Sequence, residues 1–257
     1  MENCKVKLVE NQTIDSKEVH IWLASLIENE KDILLYQSIL SQKELNKANN
    51  YKFLKDQRCY ILSRGILRCL LSKYLEQKPQ DINIFYNPWG KPHVLQKLHL
   101  YFNVSHSKDY VIYALSSKYE VGIDIEYIDP TIDVACIISS ILSSPQEFAY
   151  WQTIKEKEKT NSFFKFWACK EAYLKAYGKG WLEKKSHLPL QTIECLQNEQ
   201  KGNLSIYKMN PYVFEALPGY AAALFVKGPK YVCPSHYVWN SQIKNTYKAI
   251  SRGLYFF

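Results

Sequence analysis

The order of apolar patterns predicts an α+β fold. Bulky residues alternate over Glu18 to Leu26, recur at steps of three or four between Ser41 and Tyr74, and alternate again from Leu98 to Ile125. At 257 residues and 30.2 kDa the chain can bury a sizeable core. That length suits one large domain or two halves of about 100–130 residues each.

Taken in order, the segment EVHIWLASL from Glu18 reads as a strand with Val19, Ile21 and Leu23 on one face, and a helix should follow it. Ser41-Gln-Lys-Glu44 has the spacing of a capping box and opens a basic helical region running to about Tyr74. Cys59, Leu62, Ile66, Leu70 and Tyr74 form its buried stripe, with Arg58 at the edge and Arg64 and Arg68 nearer to solvent. Lys78-Pro79 closes the helix, Ile82 to Phe85 reads as a short strand, and Asn87-Pro88-Trp89-Gly90 is a turn.

Leu98–Val104, Tyr110–Leu115 and Val121–Ile125 predict three adjacent strands. Ser143-Ser144-Pro145-Gln146-Glu147 opens a helix with proline in its first turn. The longest helix of this part is predicted from about Asn161 to Tyr177, ending at Gly178 and Gly180. After Pro189 the chain reads as short strands, including Gly219 to Val226, before a tyrosine-rich tail. No repeat shows by direct match. The Ser116-Ser117-Lys118 turn is the candidate boundary, dividing residues 1–117 from 118–257.

Composition narrows the class. Hydrophobic residues at 47% and aromatics at 14% exclude a disordered chain. No apolar run reaches the ~18 residues a membrane span needs, and Glu2, Lys5, Lys7 and Glu10 stand where a leader would be apolar, so a soluble, cytoplasmic protein is expected. The seven cysteines show no Cys-x-x-Cys or Cys/His spacing, which points to neither disulfides nor zinc. A net charge of +8 favours an anionic partner: nucleic acid, a phosphate-rich cofactor or an acidic protein. A merely solvated basic surface fits that charge equally well.

Four groups of residues have chemical potential. Asp124 and Glu126, two apart in a strand, share a face, and a hard cation such as magnesium relieves the repulsion between them. The bland alternative is a solvated acidic strand end. Glu171 and Lys175 share a face of a largely apolar helix, where the alternative is a surface ion pair worth about 0.3–0.5 kcal/mol. Ser105 and His106, at a strand end, suit a phosphate better than a nucleophile pair, because neighbours in a strand point to opposite faces. Gly90-Lys91-Pro92 is a rigid turn carrying a cation.

In this order Gly90-Lys91-Pro92, Phe102-Asn-Val-Ser-His-Ser107, Val121-Gly-Ile-Asp-Ile-Glu126 and Trp167-Ala-Cys-Lys-Glu-Ala-Tyr-Leu-Lys175 resemble the motif series of the Sfp-type 4′-phosphopantetheinyl transferases. The resemblance spans roughly residues 19 to 226. It implies a monomeric α+β enzyme of two similar halves related by a pseudo-two-fold, with coenzyme A and magnesium in the cleft between them. On it, Asp124, Glu126 and Glu171 match the metal carboxylates, and Lys175 the lysine on the phosphates. Lys91, Pro92, Ser105, His106 and Asp124 match coenzyme A positions. Lys47 matches a basic nucleotide contact, and Arg58, one residue out of register, stands in for the 3′-phosphate arginine.

The reaction implied is transfer of the phosphopantetheine arm to a serine of an acidic acyl- or peptidyl-carrier protein, with Glu171 or Glu126 as general base. No membrane or nucleic-acid partner is expected. Lys108 departs from the family's glycine after Ser-His-Ser. Two rivals remain from the residues alone: a magnesium-dependent phosphoryl enzyme or nuclease acting on nucleic acid, and a nucleic-acid-binding protein.

Overall fold

The computed structural model describes residues 13–27, 30–95, 100–178, 188–200, 208–228 and 231–239. Helices and mixed sheets make an α+β fold. The alternating segment at the start becomes β1 (Glu18–Ser25), followed by α1 (Glu30–Gln37). The capping box forms: Ser41 N donates to Glu44 Oε2 (2.9 Å) while Glu44 N donates to Ser41 Oγ (3.4 Å). It opens α2 (Gln42–Asn49), and a break at Asn50–Phe53 divides the expected single helical region into α2 and α3 (Leu54–Leu75).

Short strands β2 (Ile84–Tyr86) and β3 (Pro92–Val94) pair as a ribbon around the Asn87–Gly90 turn. Then come β4 (Tyr101–Ser107), β5 (Tyr110–Ser116) and β6 (Val121–Tyr127). Residues 96–99, at the start of the expected first strand of this group, lie outside the described residues. Two helices follow, α4 (Val134–Ile141) and α5 (Pro145–Gln152), the latter capped by Ser144 with proline in its first turn as its sequence dictates. The long α6 (Lys159–Tyr177) stops at Gly178 in the left-handed conformation (φ 63°). Gly180 is outside the described residues. Last are α7 (Leu190–Gln200), β7 (Lys208–Met209), β8 (Tyr212–Leu217), β9 (Tyr220–Val226) and β10 (Tyr231–Trp239).

Three expectations are corrected here. The segment after Pro189 is first a helix, α7, and only then strands. Its buried Thr192, Ile193 and Leu196 fall at steps of one to four, too short a run for the helical period to stand out in sequence.

The second correction concerns β6, which does not continue the β4–β5 hairpin. The first sheet has the order β4-β5-β1-β10-β7, so both edges of β5 are taken, by β4 and by β1. β6 instead pairs with β9 in a second sheet of order β6-β9-β8, whose middle strand is buried at every position. β10, from the far end of the chain, returns to lie parallel to β1 in the first sheet.

The third correction is Arg68, expected near solvent and found 2% exposed. α2 and the segment after the helix cover its polar side. Arg68 donates from Nε to Glu44 Oε2 (2.8 Å) and from Nη1 to the carbonyls of Pro79 (2.8 Å) and Ile82 (3.0 Å). A single stripe reading cannot see that second cover.

Apolar packing falls into three clusters. Trp22, Tyr113 and Leu115 of the first sheet meet Ile66 and Leu70 of α3. Val19, Ile21, Ile112 and Ala114, on the sheet's other face, meet Ile123, Ile125, Ala222 and Leu224 of the second sheet. The second sheet's outer face meets Phe166, Ala168, Ala172 and Ala176 of α6. The layers therefore run α3, first sheet, second sheet, α6, and no described helix is long and apolar enough to cross a membrane.

Gly122 lets α6 approach β6. A methyl group there would collide with the carbonyl of Ala172 and the amide of Ala176, which are backbone and cannot swing aside. Gly122→Ala is expected to cost about 1–3 kcal/mol through forced displacement of α6. Urea denaturation measures it, and a midpoint equal to that of the parent would show that α6 can slide freely on β6.

Candidate active site between β4, β6 and α6

Strand alternation in β6 sends Ile123 and Ile125 into the core between the sheets and leaves Gly122, Asp124 and Glu126 facing α6. On α6, Trp167, Glu171 and Lys175 are successive i, i+4 positions and so form one stripe. Trp167 Nε1 donates to Glu126 Oε1 (3.1 Å), and Lys175 Nζ donates to Asp124 Oδ1 (2.6 Å). Glu171 stands on that stripe one turn from each.

β4 forms the third wall. Its odd-numbered residues reach β6 through side chains rather than a backbone ladder. Asn103 Oδ1 accepts from Ile123 N (2.9 Å), Ser105 Oγ donates to Asp124 Oδ1 (2.7 Å), and Ser107 Oγ donates to Glu126 Oε2 (3.1 Å). Ser105 also accepts from Lys175 Nζ (2.9 Å), closing a Ser105–Asp124–Lys175 knot. Lys108, where the resembled family has glycine, takes a left-handed backbone (φ 47°) and lays its amine 3.4 Å from the Tyr127 ring centre.

Two carboxylates here share one close cation, and the electrostatics record the imbalance. Burial first, and the Asp124 charge second, push the Glu126 carboxyl up to about 7, against the hydrogen bonds from Ser107 and Trp167. Asp124 is 2% exposed, and its Oδ2 is buried without a hydrogen-bond partner. An unmet acceptor beside a carboxylate destabilised as an anion fits a hard divalent cation. Among the described residues no three His, Cys, Asp or Glu side chains gather as a metal cluster, so such an ion would need oxygen atoms from a bound phosphate as well.

His106 points to the other face of β4, toward α3. Although its side chain is exposed, desolvation by the protein around the ring first, then Lys175 and Arg64, hold its pKa below the ordinary value. Arg64 lies between the rings of Tyr60 (5.6 Å) and Tyr86 (5.5 Å), and Lys47 also stands over the Tyr60 ring (5.5 Å). Its Nη1 is buried with no hydrogen-bond partner. Arg58, in contrast, is engaged at the surface with Glu30 (2.6 Å).

Lys91 and Pro92 sit at the carboxyl end of α6. Lys91 Nζ donates to the Ala176 carbonyl (2.9 Å), and Asn87 Nδ2 to that of Gly178 (3.0 Å), so the β2–β3 turn caps α6. Together with Tyr101, Glu120 and Tyr177 they line a cavity of about 350 Å³. The structure thus unites Asp124, Glu126, Ser105 and Lys175, does not gather Glu171 with Asp124 and Glu126 into a three-carboxylate cluster, groups His106 and Lys47 around Arg64, and leaves Arg58 apart. Sequence reading passed over Asn103, Ser107, Trp167 and Arg64. The polar alternation Asn103-x-Ser105-x-Ser107 and the four-residue step from Trp167 to Glu171 were signals for the first three.

Known proteins match the chain over most of its length. Residues 120–224 match the family model described as the 4′-phosphopantetheinyl transferase superfamily, and residues 28–118 match one described as the N-terminal part of 4′-phosphopantetheinyl transferases. The chain is 35% identical over 173 residues to the 4′-phosphopantetheinyl transferase HetI of Nostoc sp., covering 66% of this chain and 73% of that protein. Its identity to the 4′-phosphopantetheinyl transferase gsp of Aneurinibacillus migulanus is 31% over 210 residues, 77% and 84% of the two chains. The 4′-phosphopantetheinyl transferase Sfp of Bacillus subtilis is 27% identical over 210 residues, 79% and 88% of the two.

Proposed function

The chain belongs to the 4′-phosphopantetheinyl transferase superfamily, and from that premise we propose that it transfers the 4′-phosphopantetheine arm of coenzyme A to a serine of an apo carrier protein, releasing 3′,5′-ADP. A nuclease or other phosphoryl enzyme acting on nucleic acid finds no support among its relatives.

The Ser105–Asp124–Lys175 knot beside Glu126 carries the site assignment, because it fixes a cation on Asp124 Oδ1 and leaves Oδ2 of the same carboxylate unmet. Asp124 and Glu126, joined by Glu171 from α6 only once a bound phosphate completes the set, would hold magnesium, which would supply charge neutralisation of the pyrophosphate. Ser105 and Lys175 bind the pyrophosphate oxygens. The carrier serine oxygen forms a bond to the phosphorus that bears the pantetheine arm, and the bridging bond to the nucleotide phosphate breaks. Lys175 stabilises the charge that collects on the leaving 3′,5′-ADP. Glu171 takes the serine proton, since both oxygens of Glu126 already accept from Ser107 and Trp167.

The nucleotide lies toward α3. Arg64, with Lys47 and His106, meets its remaining phosphate in place of the Arg58 that sequence suggested, and Lys91 and Pro92 contribute to coenzyme A binding from the cavity they line. The first sheet with α3 and the second sheet with α6 form the two sides of the cleft, so the expected division at residue 117 is crossed by β7 and β10, and the protein acts as a monomer in the cytoplasm. The net charge of +8 suits an acidic carrier, and Phe148, 44% exposed on α5, offers it an apolar contact.

Incubating the protein with coenzyme A, magnesium and a set of apo carriers, and reading each carrier's intact mass, tests this. A phosphopantetheine increment lost on adding EDTA is expected. No increment on any carrier, with no coenzyme A binding, would sink the reading. Arg64→Met should raise KM for coenzyme A about 10- to 100-fold, the loss of a charged hydrogen bond of roughly 1.5–3 kcal/mol, with the smaller change in kcat.

A further inference from the structure

The binding residues assigned so far leave Ser107 without a part, and its surroundings give it one. Ser107 ends β4, and its Oγ makes two bonds of opposite sense: it accepts from the Tyr127 amide (3.0 Å) and donates to Glu126 Oε2 (3.1 Å). A hydroxyl has one proton, so the amide, which can only donate, directs that proton to the carboxylate. Trp167 Nε1, a donor only, holds the other oxygen (3.1 Å). Glu126 is thereby fixed by two neutral donors from two elements, β4 and α6, while the nearest cation, Lys175, is bonded to Asp124 instead. Asp124 on the same face is treated differently, with the Lys175 ammonium on its Oδ1.

Resting on the carboxylate site described above, we propose that Ser107 is a positioning residue, which holds the Glu126 carboxylate in the orientation that receives a divalent cation without neutralising it. The donor must be neutral for this to work. A lysine or arginine at 107 would orient the carboxylate equally well, yet it would compete with the cation for its charge. A side chain without a proton to give would free Glu126 to rotate about a half-buried stem. Second contacts of this kind, made to a ligand rather than to the metal, typically govern affinity by 10- to 100-fold.

The test titrates Mn²⁺ into the full chain with coenzyme A present and follows free Mn²⁺ by electron paramagnetic resonance, so that binding is read apart from turnover. Ser107→Ala should weaken Mn²⁺ binding about tenfold or more, and Ser107→Thr, which keeps the hydroxyl, should restore it to within about threefold. In parallel, the magnesium concentration for half-maximal transfer should rise in Ser107→Ala with most of kcat recovered at saturating metal. If Ser107→Ala has a lower melting temperature but unchanged Mn²⁺ affinity, the hydroxyl merely satisfies the Tyr127 amide and the inference is overturned. A Ser107→Thr variant that stays as weak as Ser107→Ala would overturn it too. Parent protein that takes up no Mn²⁺ would remove the carboxylate site itself and this inference with it, whereas loss confined to Ser107→Ala leaves that site standing.

Discussion

Asp124→Asn is expected to lower kcat/KM for carrier modification by at least about a thousandfold, roughly 4 kcal/mol of transition-state stabilisation. Three functions meet on this side chain. Its Oδ1 anchors Lys175 (2.6 Å) and Ser105 (2.7 Å), and its Oδ2 is the buried acceptor left for a cation. Asparagine keeps the shape and removes the charge. Lys175 then loses the partner that aims it, and the cation loses a ligand it cannot replace from solvent at a site 2% exposed. Because several groups act as one unit, Lys175→Ala added to Asp124→Asn should cost far less than its own single effect. Intact-mass time courses give the rates, and thermal unfolding checks that the fold is retained. Activity within tenfold of the parent would place the chemistry elsewhere in the cleft.

Arg68→Met should destabilise the fold by about 3–5 kcal/mol, because it strands a buried carboxylate. The pair is closed to water on both sides: Arg68 Nη2 lies 2.7 Å from Glu44 Oε2, with side chains 2% and 5% exposed. Arg68 also satisfies the carbonyls of Pro79 and Ile82, so three acceptors lose a donor at once. Glu44, in turn, holds the Ser41 cap of α2. Removing both charges in Arg68→Met with Glu44→Leu should recover much of the loss, since a buried pair gains little over well-packed apolar residues once neither charge is left alone. Urea denaturation of the two single variants and the double closes the cycle. A single variant that loses under about 1 kcal/mol would mean that water reaches Glu44 after all.

The ion pair also marks where sequence reading stops. A period of 3.6 located α3 and its stripe, because Leu62, Ile66 and Leu70 report only which face is most buried. Whether the opposite face is covered depends on α2 and on the chain after Pro79, which no local pattern contains. The β4–β5 hairpin was legible for the same local reason, and β6 was misplaced for the complementary one. β1 had already closed β5, and in the competition for partners the β6 backbone went to β9 and met β4 only through the side chains of Asn103, Ser105 and Ser107. The return of β10 to β1, across most of the chain, is decided by the same competition for edges.

At the site, the residue types and their spacing were set by the sequence alone: Asp124 and Glu126 on one strand face, Glu171 and Lys175 on one helix face, Ser105 and His106 on opposite faces of β4. Periodicity fixes such relations within an element because covalent geometry does. It cannot say which elements face one another. Only the packing of α6 on β6, permitted by the missing side chain of Gly122, brought Lys175 to Asp124 and Trp167 to Glu126. Only the meeting of β4 with β6 turned Ser107 from a strand end into a hydrogen-bond donor aimed at a carboxylate. Those contacts join residues distant in the chain, and their energies depend on burial and exclusion of water, which are properties of the assembled layers.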